Sequence, residues 1–263
     1  MPDAGSVSFE RLAGVYDATR GGLARGRGLA ADLAPFVAGT RLLEIGVGTG
    51  AVAAPLEAAT GCRLVGIDLS PAMLAVAARR LGPAVAVADA ERLPVATGAV
   101  DTAVMVWVLQ LVARVAGVLG EAARALRPGG RIAVVLAAPA GPPDEIDRIV
   151  RPMYLALLPP EGRRDRPELV VELARAAGLR LVHRGLTTPQ HYGESPDEEA
   201  DRLERRTAAI LLDLSPEAFA ALVAPVVAKL RALPRRGEAR PRRAVHELLV
   251  FERELSAPGA GLP

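Results

Sequence analysis

Leu42-Leu43-Glu44-Ile45-Gly46-Val47-Gly48-Thr49-Gly50 is the stretch that decides how this chain is read. A hydrophobic strand runs straight into a glycine-rich turn, and a helical stretch follows. Glycines in such a turn let the backbone bend sharply and let a ligand lie against it with no Cβ in the way. Turns of this kind serve several nucleotide cofactors. Gly46, Gly48 and Ala51 also satisfy the loose dinucleotide pattern. The turn predicts a cofactor cradle without choosing the cofactor.

Working outward, short apolar runs alternate with amphipathic stretches from about residue 40 to 137. The runs at 41–45, 63–67, 84–88, 102–106 and 131–136 are continuous rather than alternating in polarity. That pattern predicts parallel strands covered on both faces. Ser70-Pro71 is an N-cap followed by proline at the first helical position, opening a helix over 72–80. A helix over 115–126 ends in Arg127-Pro128-Gly129-Gly130, a stop and turn. Repeated strand–helix alternation predicts an α/β, doubly wound, Rossmann-like sheet.

The flanks carry further elements. Residues 1–38 read as helical. Residues 139–166 read as a loop rich in Pro and Arg with one short apolar segment. A helix over 167–177 closes at Gly178 and leads into a sixth strand near 179–187. Residues 196–233 read as two amphipathic helices, the first opened by the capping box Ser195/Glu198 and the second by Ser215-Pro216. A final strand is expected over 244–252. The organisation expected is an N-terminal helical lid element (1–38), a core (39–195), a helical cap insertion (196–240), and a final core strand with tail (241–263).

Bulk properties bound the function classes. At 263 residues with 51% hydrophobic content the chain can bury a full core, which excludes a disordered protein. A formal net charge of +2 gives no global case for nucleic-acid binding. Cys62 is the only cysteine, so no intrachain disulfide can form. No signal-peptide pattern opens the sequence, and the longest uncharged apolar stretch, 102–113, is too short to span a bilayer. The expectation is a cytoplasmic protein without membrane or nucleic-acid partners. No Cys/His spacing suggests a metal site.

Three features narrow the cofactor. Asp68 ends the second strand, eighteen residues past Gly50, where a carboxylate suits two ribose hydroxyls. Glu44 sits just before the glycines, where its charge favours a cofactor with an ammonium group and repels a diphosphate. Asp89-Ala90 follows the third strand, and an Asp there suits an adenine amino group.

Together these motifs, in order and spacing over 41–136, resemble the class I S-adenosylmethionine-dependent methyltransferases. The closest resemblance is to the small-molecule group that includes ubiquinone/menaquinone-type C-methyltransferases. The resemblance implies a seven-stranded sheet with the last strand antiparallel, and S-adenosylmethionine as cofactor. It places Glu44 near the methionine ammonium, Gly46, Gly48 and Gly50 against the cofactor backbone, and Asp68 on the ribose. Leu69 and Met73 would flank the adenine, with Asp89 and the Ala90 amide on its edge. Tyr16 and Arg20 resemble an element that closes over the methionine end, with Arg20 on the carboxylate. A histidine that the family often carries after the fourth strand is replaced here by Trp107-Val108-Leu109-Gln110. No Asn/Asp-Pro-Pro-Tyr motif follows that strand, which counts against base or glutamine amides as acceptors.

The activity implied is methyl transfer to an O, N or C atom of a small, largely apolar molecule. The competing readings are an NAD(P)-dependent oxidoreductase and a non-catalytic S-adenosylmethionine-binding regulator. On the acceptor side His191 is the candidate catalytic residue, with Tyr192, His246 and Trp107 as candidate substrate contacts. His183 reads as structural, Cys62 as a buried small residue, and the Arg240–Arg243 run as a solvated turn. Apolar residues such as Ile210, Leu211, Leu214, Phe219 and Val223 place the acceptor pocket between the glycine turn and the 196–233 helices.

Overall fold

The computed structural model describes residues 9–157, 163–212 and 214–255. Residues 1–8 of the expected lid element, 158–162 of the expected loop and the tail from 256 lie outside them. Nine strands form two sheets: β1 (Arg41–Ile45), β2 (Arg63–Asp68), β3 (Val85–Val87), β4 (Val100–Val106), β5 (Leu126–Pro139), β6 (Leu179–Leu186) and β9 (His246–Arg253) in one, β7 (Gln190–Glu194) and β8 (Arg240–Ala244) in the other. The large sheet has the order β3-β2-β1-β4-β5-β9-β6. Only β9 runs antiparallel to its neighbours β5 and β6. The expected architecture is therefore the one adopted, with β9 inserted beside β5 rather than at the edge.

The strands are apolar on both sides because both faces are covered. Leu43 and Ile45 pack with the helices Val115–Ala125 and Pro167–Ala176. Leu42, on the opposite face of β1, packs with the helices Gly22–Leu33, Ala53–Thr60 and Pro71–Leu81. Since side chains alternate along a strand, Glu44 shares Leu42's face and points toward the helix Gly22–Leu33. Ser70 caps Pro71–Leu81 by accepting the Met73 N–H at 3.2 Å, and Ser195 with Glu198 forms the expected capping box on Pro196–Glu204.

Three expectations are corrected. The stretch 139–166 holds a helix, Glu145–Leu157, whose Ile146, Val150 and Met153 are buried at helical spacing. The prolines around it, and Pro152 inside it, hid that periodicity. The 196–233 region has four helical segments rather than two: Pro196–Glu204, Ala209–Leu212, Pro216–Leu222 and Ala224–Arg231. The last two divide at Val223, just before Pro225, whose missing N–H disfavours one continuous helix. Third, Arg240–Ala244 is a strand paired with Gln190–Glu194 rather than a solvated turn. The reason is Arg242, buried and ion-paired with Asp144, Asp147 and Glu194.

Candidate functional site

The glycine turn is held open by its neighbours. Gly46 and Val47 donate their N–H groups to the Ile67 carbonyl, each at 2.8 Å. Gly46, Gly48 and Gly50 all have positive φ, the left-handed region that glycine adopts without strain. A Cβ on Gly48 would meet nothing within 4 Å, so the turn presents bare backbone to open space there. Gly50 instead packs toward Ala77 and Leu81 of the following helix.

The helix Gly22–Leu33 closes over this turn. Gly26 lies so near that a Cβ would stand 1.9 Å from the Ala51 carbonyl oxygen. Between helix and turn is a cavity of about 70 Å³ whose walls include Tyr16, Arg20, Arg25, Glu44, Gly48 and Trp107. A polar latch fastens the lid. Asp17 accepts from Thr49 Oγ1 at 2.7 Å and pairs with Arg80, which also donates to the Thr49 carbonyl at 2.7 Å. Asp17, Thr49 and Arg80 were not singled out from the sequence. Neither was Glu10, which accepts from Ser70 Oγ at 2.7 Å.

Glu44 is the unusual group. It is 2% exposed, and its Oε2 has no hydrogen-bond partner among the described residues. Burial, reinforced by the Asp68 charge, pushes its carboxyl up to about 8. Asp68 is half-buried and accepts the Gly48 N–H at 2.8 Å and the Ser70 N–H at 2.9 Å. Burial raises its pKa, and those backbone donors oppose the rise. It thus ties β2 to the turn, and its carboxylate keeps acceptor capacity beyond these backbone donors.

A second unusual group faces Glu44 from the lid. The Arg25 guanidinium carbon lies 4.1 Å from the Trp107 ring centroid, and Nη2 is 2.9 Å from His246 Nε2. Among the described residues its Nε is buried without a partner, as is Trp107 Nε1. Trp107 itself has φ 55°, a strained position for a bulky residue. His246 Nδ1 faces the Leu136 carbonyl at 3.1 Å. Burial, with Arg25 alongside, pushes the His246 imidazole down to about 4. The ring is therefore neutral at physiological pH, donating from Nδ1 and accepting from Arg25. It is a positioning group and a poor general base.

The remaining sequence candidates fall in different places. Tyr16 and Arg20 line the cavity, and Arg20 makes one long contact, 3.4 Å, to the Thr207 carbonyl. Met73 is buried against Leu12 and Ala13. Leu69 and Asp89 are exposed, and Asp89 Oδ1 accepts the Glu91 N–H at 2.8 Å, a turn cap. Ala90 is partly buried against the core. Tyr192 is half-exposed beside the Arg242 guanidinium. His191 is exposed on β7, opposite Arg243, and is not among the cavity walls. Gln190 donates to the Arg25 carbonyl at 3.2 Å, so β7 runs beside the lid helix, and alternation along the strand turns His191 to the other face. Ile210, Leu211, Leu214, Phe219 and Val223 pack with Ile146, Val150 and Met153 in a core of their own. The unforeseen helix Glu145–Leu157 supplies their partner, so their apolar surplus does not mark the acceptor pocket. His183 stacks against Phe36, and Cys62 is buried.

Residues 43–134 match the family described as the methyltransferase domain. Over those residues the chain is similar to that domain. Over 141 residues it is 38% identical to the demethylmenaquinone methyltransferase of Thermus thermophilus, a match covering 51% of this chain and 64% of that protein. The matched region thus spans under two thirds of that relative's length. Two solved structures share the fold. Phosphoethanolamine N-methyltransferase 2 of Haemonchus contortus, in complex with phosphomonomethylethanolamine and S-adenosylhomocysteine, aligns with TM-score 0.51 at 22% identity, over 87% of this chain and 52% of that one. The [4+2]-cyclase SpnF aligns with TM-score 0.54 at 22% identity, over 88% and 81%. Among the described residues no helix is long and apolar enough to cross a membrane.

Proposed function

We propose that this methyltransferase domain binds S-adenosylmethionine and transfers its methyl group to an O, N or C atom of a small, largely apolar organic molecule. The observation that carries the reading is Glu44: a buried carboxylate, lacking a partner, on the wall of a cavity made by the glycine turn. At an effective dielectric near 20, a cation about 4 Å away gains roughly 4 kcal/mol from such a group, and a diphosphate loses a comparable amount. A methionine ammonium fits; the diphosphate of NAD does not. Gly48 offers bare backbone, and Asp68 retains lone pairs for ribose hydroxyls. Arg20, a cation on the same wall, suits the methionine carboxylate. Leu69, Met73, Asp89 and Ala90 belong to the adenine end in this reading.

The bound cofactor supplies a methyl group on a positively charged sulfur, already activated for displacement. The chain's own task is to align the acceptor, exclude water and hold the cofactor's charges. The Asp17–Thr49–Arg80 latch and the close Gly26–Ala51 packing serve exclusion by fixing the lid. No general base is required unless the acceptor must lose a proton at the site. A cytoplasmic setting and the absence of nucleic-acid partners belong to the same proposal, supported by the near-neutral charge and the single buried cysteine.

SpnF shows that a protein of this fold can be a cyclase, so a fold alone does not decide between transfer and another use of the site. Calorimetry with S-adenosylmethionine, S-adenosylhomocysteine and NAD is the first test. The expected result is binding of the first two and none of NAD. Binding of NAD with no response to S-adenosylhomocysteine would favour the oxidoreductase reading. Binding with no methylated product from any acceptor offered would favour a regulator.

A further inference from the structure

We infer that Arg25 and Trp107 form a subsite for an oxygen anion of the methyl acceptor, so that the acceptor is an organic acid, a carboxylate or an enolate- or phenolate-type anion. This rests on the cofactor reading above and adds the substrate class to it.

The charges of the site lead there. Among the described residues, no carboxylate lies within ion-pair distance of Arg25 or of Arg20, while Glu44 is a buried carboxyl whose Oε2 has no partner. The amino-acid end of the cofactor brings one ammonium and one carboxylate. Glu44 answers the first and Arg20 the second. Arg25 is then a second, partly buried guanidinium with no carboxylate beside it among the described residues. Burial lowers its pKa only to about 10, so it stays charged at neutral pH. A buried cation without a counter-charge is costly unless a ligand supplies one.

Position separates the two arginines. The cofactor motifs, Gly46–Gly50, Asp68 and Asp89, follow β1, β2 and β3, one half of the sheet. Arg25's partners come from the other half: Trp107 follows β4, and His246 begins β9 and reaches Leu136 of β5. A ligand held by Arg25 lies at the strand-order reversal between β1 and β4, the crevice where open α/β sheets bind ligands. The donors match an oxygen anion. Arg25 Nε and Trp107 Nε1 are both N–H groups, both buried and both unpartnered. His246, held neutral, accepts from Arg25 and fixes the guanidinium over the indole. Trp107's left-handed backbone keeps that indole in place. An acceptor bound as its anion needs no base in the site, in keeping with the low basicity of His246.

The test uses the protein saturated with S-adenosylhomocysteine. Trp107 is the only tryptophan, so its fluorescence reports directly on the subsite. Benzoate and its neutral counterpart benzamide are the probes. Benzoate should change the emission saturably, with benzamide at least tenfold weaker. Arg25→Gln should weaken benzoate at least tenfold while leaving S-adenosylhomocysteine affinity within threefold, and Arg25→Lys should retain part of the preference. The retained affinity also certifies the fold; if Arg25→Gln fails to fold, the wild-type preference and Arg25→Lys decide. Equal responses to the two probes, or no saturable response to benzoate, overturn the inference. So does a tenfold loss of S-adenosylhomocysteine affinity in Arg25→Gln, which would assign Arg25 to the cofactor carboxylate. If the wild-type protein does not bind S-adenosylhomocysteine, the cofactor reading falls and this inference with it.

Discussion

Two arginines sit at opposite ends of one design problem. Arg242, 6% exposed on β8, is surrounded by Asp144, Asp147 and Glu194. It joins the helix Glu145–Leu157 to the ribbon β7–β8, and all its charge is answered from within the chain. Arg25 is partly buried, and the side chains around it are an indole, a neutral imidazole and the phenols of Tyr192 and Tyr16, with no carboxylate among them. Glu44, across the cavity, is the matching case among acids. Where a chain completes its own ion pairs, burial serves architecture. Where it leaves a charge open on a cavity wall, burial serves a ligand, because the unmet desolvation is recovered only on binding.

Replacing Arg242 should produce the largest effect. Arg242→Ala removes the cation from Asp144 and Asp147 and leaves Glu194 with Arg202 alone, and breaking a buried pair costs about 3–5 kcal/mol. Urea denaturation should show that loss. A change below about 1 kcal/mol would mean that water reaches the cluster, and the contrast with Arg25 would lose its basis.

Glu44→Gln probes the other end. It removes a charge that has no partner in the unliganded fold, so stability at pH 8 and above should hold or rise. Binding of S-adenosylhomocysteine should weaken by about 2–3 kcal/mol, the worth of a charge-assisted hydrogen bond. A variant that loses stability but keeps its affinity would place Glu44 with Arg242 as a structural group.

The same comparison explains what was legible from sequence. The sheet, its alternation and the glycine turn were readable because they rest on local patterns: continuous apolar strands, Ser70 and Ser195 caps, and glycines at left-handed positions. The positions of Glu44 and Asp68 beside the turn were readable because they are tied to it by spacing. The helix Glu145–Leu157 was missed because prolines masked its periodicity. Arg25 and Arg242 carried no signal that set them apart from thirty other basic residues. Their roles arise only when segments more than 90 residues apart come together, as Arg25 meets His246 and Arg242 meets Asp147.

Proton linkage sharpens the comparison further. Glu44 titrates near 8 in the unliganded fold, against an ordinary 4.5. Between those values only the folded chain keeps the proton, so the group's contribution to stability falls as pH rises and is gone above about 8. An ammonium ligand needs the carboxylate, so binding at pH 7 should release close to one proton. Affinity should climb up to about tenfold per pH unit from pH 5 to pH 8. Calorimetry in two buffers of different ionisation enthalpy measures this directly; equal heats in both would show that Glu44 is already ionised.

The smallest effect is expected at His191, and it separates the two histidines proposed for the acceptor side. His191 is exposed on β7 and faces Arg243 rather than the cavity. Surface substitutions away from packed or ion-paired features usually stay within about 0.5 kcal/mol. His191→Ala should therefore leave both stability and S-adenosylhomocysteine affinity unchanged. His246 differs because it is buried and held neutral down to about pH 4. Its folded value lies below the ordinary 6.5, so it costs the fold nothing above about pH 6.5 and destabilises it as pH falls toward 4. The full cost is roughly 3 kcal/mol by linkage at about 1.4 kcal/mol per pKa unit. His246→Asn should remove that part of the acid sensitivity, whereas His191→Ala should not. If His191→Ala alters the acid limb of the stability curve and His246→Asn does not, the buried cluster around Arg25 is not arranged as described.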